Sequence, residues 1–364
     1  MTIAASQRLQ GKSMLTARTI DPLSDEAWSQ FVLGADSSLF HSPAWMGMIQ
    51  KTYGMAMRAR ILLEQGRPVA GVPWCEVDDL LGPRRVTLAF SDYCDLLSSA
   101  PDQRDVLAAS IIDEGFPWVL RTAAKNIPNL KQSAAHSTHY KRHMINITPE
   151  VQAMWDCMTS MAQRGVQKAQ RSGMTTRIAS DKKELREWYL LHLRLRKTKH
   201  GLLAQPYAFF ENIWDSFIDK GQGFLSIVLS GDKIVAGTLY LLWKDTCYYK
   251  FNASDPDHLL LRPNNLLMWN GMLEARERGC RLLDLGRSSA HQEGLLNFKR
   301  GFGAEEEDLY ALTYRPQNGT NNGKANHEEE AKRLFSELTR IFVQESLPDN
   351  VSEEAGSLLY KYFT

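Results

Sequence analysis

The chain carries the same ordered set of landmarks twice, about 165 residues apart. A turn followed by a Val-Ala-Gly-type segment occurs at residues 66–71 (GRPVAG) and again at 231–237 (GDKIVAG). Upstream of each turn a proline opens an apolar helical stretch, and downstream of each a polar helix ends at a glycine before a short apolar strand. These prolines and glycines are Pro43 and Pro206, and Gly115 and Gly279. Three landmarks at one offset, in one order, indicate two copies of one domain.

Each copy follows the order helix, helix, hairpin, strand, helix, strand, which predicts an α+β domain with a mainly antiparallel sheet. In the second copy, periodicity predicts helices over 151–171, 184–199, 207–219 and 266–278, and strands over 224–229, 234–243, 248–253 and 282–285. The predicted organisation is a flexible N-terminus (1–18), a first domain (19–148), a second, catalytic domain (149–315), an Asn- and Gly-rich linker (316–327), and a C-terminal helix and tail (328–364). The C-terminal helix is amphipathic and must dock, and docking on the first copy would unite the two halves.

Composition limits the class of protein. The 364 residues suffice for two domains, and a net charge of +1 excludes a molecule that binds polyanions over its whole surface. The five cysteines form no CxxC pair and are typical of reduced, mostly buried thiols. Neither a signal sequence nor an apolar run of about 20 residues occurs, so we expect a cytoplasmic protein without a transmembrane segment.

The sharpest local pattern is residues 296–304 (LNFKRGFGA), in which Lys299 and Arg300 lie between two phenylalanines and beside two glycines. It follows a polar loop at 284–289 (DLGRSS) that leaves a predicted strand. An ammonium group close to exposed backbone can stabilise negative charge that develops on an attacked carbonyl oxygen. The alternative is a turn at a strand edge, in which both cations are solvated.

A second pattern is basic. Arg164, Lys168 and Arg171 lie at i, i+4 and i+7 of a predicted helix and therefore share one face. They could contact phosphates of tRNA or of a sugar nucleotide, or they could form a solvated face at a helix C-terminus, where the helix dipole favours cations. Arg196 and Lys197, at the end of the next predicted helix, allow the same two interpretations. Two basic helix ends so close in sequence favour a cleft for an anionic ligand.

Three histidines, His136, His139 and His143, lie within eight residues of one another. Their spacing matches neither a helical nor a zinc-finger frame, and no cysteine pair accompanies them. We therefore predict no metal site.

Several sequence motifs follow one another in a fixed order along the chain. They are RGVQKA (164–169), Pro206-Tyr207, the VAGT hairpin (235–238), the helix over 264–278, DLG (284–286) and FKRGFG (298–303). Together they resemble the Fem-type (FemABX) peptidyltransferases and their acetyltransferase-like relatives in polysaccharide and cell-envelope gene clusters. The resemblance covers about residues 38–314.

The resemblance implies two tandem GNAT domains, the fold of acyl-CoA N-acyltransferases. It implies transfer of an acyl or aminoacyl group to an amine of a cell-envelope or polysaccharide precursor, within a ternary complex and without a covalent enzyme intermediate. It places Phe298 and Lys299 at the reaction centre, where Lys299 stabilises the carbonyl oxygen. The implied or candidate substrate-binding residues are Arg196, Lys197, Arg300, Arg287, Arg164 and Lys168.

The acyl donor is either acyl-CoA or aminoacyl-tRNA, and we expect it to act as a co-substrate. We expect no tightly bound cofactor. GNAT enzymes that use acyl-CoA usually hold its pyrophosphate on a Gly-rich loop at a helix start. Here that stretch, residues 261–265 (LRPNN), has no glycine, and Pro263 lacks an N–H. This favours aminoacyl-tRNA or another carrier, although the long helical arm of some tRNA-using relatives is absent. Two alternatives are an acetyl-CoA-dependent acetyltransferase of amino sugars or small amines, and a non-catalytic protein that binds a glycan or nucleotide.

Overall fold

The computed structural model describes residues 6–7, 15–131, 134–315 and 322–363, the last range with side chains from residue 329 onward. The chain divides into two compact units. The first combines the residues up to Tyr140 with Glu307–Arg333, and the second combines Lys141–Glu306 with Leu334–Phe363. The chain thus passes from the first unit to the second after Tyr140, eight residues before residue 148, where the sequence predicts the end of the first domain.

The first unit contains the predicted hairpin and its flanking helices. Its strands are β1 (Ser6–Gln7), β2 (Leu15–Ile20), β3 (Ala56–Glu64), β4 (Arg67–Val77), β5 (Arg84–Thr87), β6 (Leu97–Ser98) and β7 (Trp118–Ala123), and its helices are α1 (Glu26–Gly34), α2 (Pro43–Tyr53) and α3 (Pro101–Ile112). Strand order is β1-β2-β3-β4-β5-β7, with β6 paired to β4. All these pairs are antiparallel except β5 with β7, which is parallel.

The second unit repeats this plan. Its strands are β8 (His136–Asn146), β9 (Thr175–Ile178), β10 (Gly223–Ser230), β11 (Lys233–Trp243), β12 (Thr246–Ser254) and β13 (Leu282–Ser289), and its helices are α4 (Val151–Asp156), α5 (Ser160–Arg171), α6 (Lys182–Arg194), α7 (Tyr207–Ile213), α8 (Pro263–Glu277) and α9 (Glu293–Gly301). Strand order is β8-β13-β12-β11-β10-β9. After α9 come β14 (Glu305–Tyr314), α10 (Asn322–Phe342) and α11 (Asp349–Leu359).

The predicted duplication is visible in the strand registers. The β3–β4 hairpin has an irregular register between Leu62 and Leu63, and the β10–β11 hairpin has one between Val228 and Leu229, the same offset as in the sequence. Each antiparallel run then ends in a parallel pair, β5 with β7 and β12 with β13. Shared irregularities of this kind confirm two copies of one α+β domain.

The repeated Val-Ala-Gly segment has a packing reason. A Cβ atom at Gly71 would lie 2.9 Å from the ring of Trp28, and one at Gly237 would lie 2.5 Å from the ring of Trp188. The Trp188 indole N–H also donates to the Gly237 carbonyl at 2.9 Å. Each unit thus presses a buried tryptophan from a helix onto a strand glycine, which only glycine permits.

Several predicted elements need correction. The single helix expected over 151–171 is two helices, because Thr159 caps α5 by accepting a hydrogen bond from the Ala162 N–H. The helices expected over 184–199 and 207–219 both end in a π-turn, Leu195–Lys199 and Trp214–Ile218. Wider π-turns of this kind give no hydrophobic-period signal in the sequence.

The flexible regions also differ from expectation. Of the residues expected in a flexible N-terminus, 15–18 belong to β2, which pairs with β3. Of the predicted linker, residues 322–327 belong to α10, and 316–321 lie outside the described residues, as do 1–5 and 8–14.

Most of the C-terminal segment packs within the second unit rather than on the first copy, and only the start of α10, up to Arg333, belongs to the first unit. From Leu334 onward the chain belongs to the second unit. Arg186 of α6 donates two hydrogen bonds to the Glu353 carboxylate of α11, and Phe335 stacks on Tyr362 at a ring-centroid distance of 5.1 Å. α6 therefore supplies the docking surface.

Candidate functional site

Phe298 and Lys299 lie on a helix, α9, rather than on a strand-edge turn. Consecutive helical residues point about 100° apart, so the two side chains have different surroundings. Phe298 is half-buried and lines a cleft, whereas Lys299 is 4% exposed and points to β13. The alternative of a solvated Lys299 is therefore wrong.

The Lys299 ammonium has three close acceptors. It donates to the carbonyl oxygens of Leu285 at 2.6 Å and Gly286 at 3.1 Å, and to the hydroxyl of Ser288 at 2.8 Å. An ammonium group has three N–H bonds, so these acceptors can take all of them. In this arrangement, an oxyanion would have to replace one of the three. Ser288 is the replaceable one, because a hydroxyl can rotate away and a strand carbonyl cannot.

This ammonium lies where two strands separate. Strands β12 and β13 are parallel, and the last residues that pair between them are Tyr248 and Asp284. Both strands continue beyond these residues. Leu285 and Gly286 are the next residues of β13. Strands that diverge leave backbone N–H and C=O groups that a ligand can pair with. Lys299 therefore lies where the sheet opens, with its ammonium engaged by protein acceptors.

A cleft of about 400 Å³ lies on the other side of α9. It is lined by residues of α5, the start of α8 and α9, namely Thr159, Met161, Ala162, Arg164, Gly165, Lys168, Arg262, Asn265, Gly294, Asn297, Phe298, Gly301 and Phe302. Three of these are cations, and no acidic side chain is among the lining residues described. Within the described ranges, the side chains of Arg164, Lys168 and Arg262 have neither a hydrogen bond nor an ion pair. The positive charge of the cleft lining therefore favours binding of an anion.

The N-terminus of α8 adds to the positive electrostatic potential of the cleft. The N-terminus of a 15-residue helix carries partial positive charge and favours anions. Arg262 is its N-cap and has left-handed backbone (φ 66°), while Pro263 follows at the first helical position. The structure thus replaces the backbone donors of a Gly-rich loop with one additional cation.

Gly165 lies against the Asn265 side chain of α8. A Cβ atom there would lie 2.5 Å from the side-chain amide nitrogen of Asn265, so the close packing of α5 on this side chain favours glycine. This packing brings the basic face of α5 to the N-terminus of α8. Arg164 and Lys168 thereby meet Arg262, whereas Arg171 bonds to Gln167 and does not line the cleft.

The other candidate residues are not in the cleft lining. Arg300 donates to the Glu306 carboxylate at 2.6 Å. Arg196 donates to the Leu203 carbonyl. Lys197 is buried, and its ammonium donates to the Leu347 carbonyl and lies 3.5 Å from the Asp349 carboxylate. These bonds give Arg196 and Lys197 roles within the fold of the second unit.

Arg287 lies near the C-terminal segment as well. Burial raises the pKa of Tyr360, and the nearby charges of Arg196 and Arg287 oppose that shift. The substrate-binding candidates thus divide into a cleft group (Arg164 and Lys168) and a group near the C-terminal segment (Arg196, Lys197 and Arg287), and Arg300 belongs to neither.

Two polar pairs near Lys299 have no signal in the sequence. Arg142 donates to the Asp284 carboxylate at 2.7 Å, one residue before Leu285. The His143 ring is fully buried, and its Nε2 lies 2.9 Å from Glu306. Burial and the charge of Lys299 lower the pKa of His143, which favours the neutral ring. Only the long-range pairing of β8 brings these residues near Lys299, so no local signal predicts them.

The histidines do not converge on a metal. His139 pairs with Asp308 at 2.7 Å in the first unit, and His143 pairs with Glu306 in the second. Among the described residues, no group of three or more His, Cys, Asp or Glu side chains is placed to hold a metal ion. The five cysteines are free, and all but Cys157 are buried.

Comparison with known proteins agrees with this architecture. Residues 158–300, which include Lys299 and most of the cleft lining, match the Acetyltransferase (GNAT) domain family. The fold of the whole chain is similar to a crystal structure of FemX, with a TM-score of 0.62 at 12% identity over 88% of this chain and 100% of that one. This chain has a tandem GNAT fold.

Two further solved structures have folds similar to that of this chain. One is a tandem GNAT protein from the clavulanic acid biosynthesis pathway, with a TM-score of 0.51 at 10% identity over 83% of this chain and 98% of that one. The other is L-PGS from Bacillus licheniformis, with a TM-score of 0.52 at 11% identity over 90% and 99%. Among curated proteins, none matches this sequence.

The domain match confirms the prediction of an acyltransferase of the GNAT class. The similarity to the solved structures supports the fold. Among the described residues, no helix combines the length and the apolar character that crossing a membrane requires.

Proposed function

We propose that this tandem GNAT protein transfers an acyl or aminoacyl group to an amine of a cell-envelope or polysaccharide precursor, by direct attack in a ternary complex. The observation that carries this proposal is the cleft of the second unit, with Phe298 on its wall. Its three cations, which have no partner among the residues that the structure describes, lie around the N-terminus of α8. A phosphate-bearing donor, acyl-CoA or aminoacyl-tRNA, fits this charge. A cytoplasmic location is part of the same proposal.

The chemistry follows from Lys299. As the amine attacks the donor's carbonyl carbon, negative charge develops on the carbonyl oxygen and the bond to the leaving oxygen or sulfur breaks. We assign Lys299 the stabilisation of that charge, with the oxyanion taking the place of Ser288 on the ammonium. One such donor in a dry site contributes about 3 kcal/mol of transition-state stabilisation. The attacking amine loses its proton to solvent or to a substrate carboxylate.

Binding of the donor is the first test. Thermal melts with acetyl-CoA, longer acyl-CoAs, UDP-amino sugars and charged tRNA identify the ligand, because a ligand of the folded state raises the melting temperature. We expect the stabilising donor to lose its effect in the Arg164→Gln/Lys168→Gln variant. Arg171→Gln is the matched control, since it removes a cation from the same helix but outside the cleft lining.

Turnover is the second test. With the donor identified, Arg164→Gln should raise its KM about tenfold with little change in kcat, since a charged hydrogen bond to phosphate contributes to ground-state binding. Stabilisation by a glycan or nucleotide without turnover of any donor would instead support a non-catalytic binding protein.

An acetyl-CoA-dependent acetyltransferase of amino sugars or small amines is the second candidate. The match of residues 158–300 to an acetyltransferase family favours it. Stabilisation by acetyl-CoA but not by charged tRNA, followed by acetylation of a soluble amine, would select it.

A further inference from the structure

Large aliphatic side chains are exposed on three elements that border the cationic cleft. Met161 of α5 is 75% exposed, Leu260 of the turn before α8 is 79% exposed, and Leu295 of α9 is 41% exposed. Met161 lines the cleft itself. Leu260 lies two residues before Arg262, and Leu295 follows Gly294, and both of these neighbours line the cleft. The mouth of the cleft therefore has an apolar rim.

Cations outnumber carboxylates beside this rim, where the exposed Glu293 lies 3.8 Å from the Arg300 guanidinium. Arg164, Lys168 and Arg262 are exposed beside the aliphatic side chains, and their side chains have no partner in the part of the chain that the structure describes. Burial of the leucines in an apolar phase is favourable, and the cations gain energy from anions at its surface. A surface that offers both together has the composition of one that lies in the head-group region of a membrane.

We propose that this face docks on an anionic bilayer, with Met161, Leu260 and Leu295 inserted among the head groups and the positively charged mouth of the cleft facing the negative lipid surface. The cleft then opens at the membrane surface. The inference goes beyond the proposed acyl transfer and holds or fails without it, because docking needs no turnover.

Other occupants fit less well. Single-stranded RNA is bound by cations together with aromatic side chains on which bases stack, whereas this rim projects methionine and leucine. A second protein would need an apolar patch with few charges at its centre, whereas here the cations lie among the aliphatic side chains. Charge complementarity and aliphatic character together favour lipid.

The test is sedimentation of the full chain with vesicles of phosphatidylcholine, with and without phosphatidylglycerol. We expect binding only when phosphatidylglycerol is present, and weaker binding at high salt because the charges are exposed. Leu260→Gln should weaken binding roughly tenfold, in proportion to the apolar area that it withholds from the membrane. Leu33→Gln is the matched control, since Leu33 is 62% exposed in the first unit.

The charge contribution has its own pair of variants. Arg262→Gln should weaken binding to phosphatidylglycerol vesicles several-fold, whereas Arg67→Gln, at an exposed arginine of the first unit, should leave it unchanged. Thermal melts establish that each variant is folded, as expected at such exposed positions.

Three results would overturn the proposal. One is the absence of sedimentation with phosphatidylglycerol vesicles. Another is salt-sensitive binding of tRNA that Leu260→Gln does not weaken, with no binding of vesicles. The third is a molecular mass that doubles with concentration and returns to that of the single chain in Leu260→Gln, which would assign the rim to self-association.

Discussion

The ammonium of Lys299 donates a 2.6 Å hydrogen bond to the carbonyl oxygen of Leu285, the first β13 residue beyond its parallel pairing with β12. One cation thereby anchors α9 to the strand at the point where the sheet opens. Removing the cation affects the fold and the proposed chemistry together, so a variant of Lys299 alone cannot separate the two.

Lys299→Met should lower the free energy of unfolding by about 3 kcal/mol, because it leaves buried acceptors without a donor. Transfer should fall by about 10²–10³ in kcat even where the protein remains folded. Denaturant unfolding and steady-state rates measure the two effects.

Ser288→Ala separates the roles of Lys299. It removes only the replaceable acceptor, so it should cost about 1 kcal/mol of stability and keep transfer at or above the original rate. Lys220→Met, at an exposed lysine of the same unit, is the control for loss of a cation. Near-normal turnover of Lys299→Met would remove the catalytic assignment.

Gly165→Ala should destabilise the protein by about 1–3 kcal/mol, because the new methyl group meets the Asn265 side chain. It should also weaken donor binding, since α5 and α8 must move apart and carry the cations with them. Gly294→Ala is the matched control: it also lies in a helix on the cleft wall, but its Cβ would meet nothing within 4 Å. Equal melting temperatures for the two variants would contradict this account of the cleft.

The sequence predicts the fold well because its strongest signals are local. The turns at 66–71 and 231–237 are set by glycine and polar residues, and the neighbouring Val-Ala-Gly segments repeat because Trp28 and Trp188 need the same space. The π-turns and the cap at Thr159 arise where chain geometry adjusts to packing, so periodicity alone extends the helices through them.

The site was predicted in part. Arg164 and Lys168 were recognised from their spacing on one helix, but Arg262 joins them only through contact of α5 with α8, about 100 residues apart in sequence. Lys197 shows the converse. Its charge suggested substrate binding, but its acceptors lie 150 residues later at Leu347 and Asp349, which no local pattern reveals.

Acid should destabilise the second unit through His192. Burial lowers the pKa of this histidine from 6.5 to about 3 in the folded protein. The unfolded chain therefore binds the proton first as the pH falls, and stability decreases from pH 6.5 downward until about pH 3. The loss should reach about 2 kcal/mol by pH 5.

Denaturant unfolding between pH 7 and 5 measures this slope. His192→Phe should remove the His192 part of it, since phenylalanine suits a site among Trp188, Phe210 and Phe251. His291→Phe, at an exposed histidine, should leave the slope unchanged. A slope identical in all three proteins would show that His192 is protonated without cost.

The C-terminal helices should be held by a buried charge. Lys197 is 5% exposed as a residue, and Asp349 supplies a carboxylate 3.5 Å from its ammonium and also accepts from Arg194 at 2.7 Å. Asp349→Ala leaves a buried cation with only a carbonyl acceptor, so it should cost about 2 kcal/mol of unfolding free energy. Asp215→Ala, which breaks the exposed pair with Lys182, should cost less than about 1 kcal/mol.

Limited proteolysis gives an independent measurement. Weaker packing of the C-terminal segment should expose the residues after Leu334 to cleavage in Asp349→Ala and not in Asp215→Ala. Similar costs and similar cleavage in the two variants would mean that apolar contacts of α11, rather than the charge on Lys197, hold the segment.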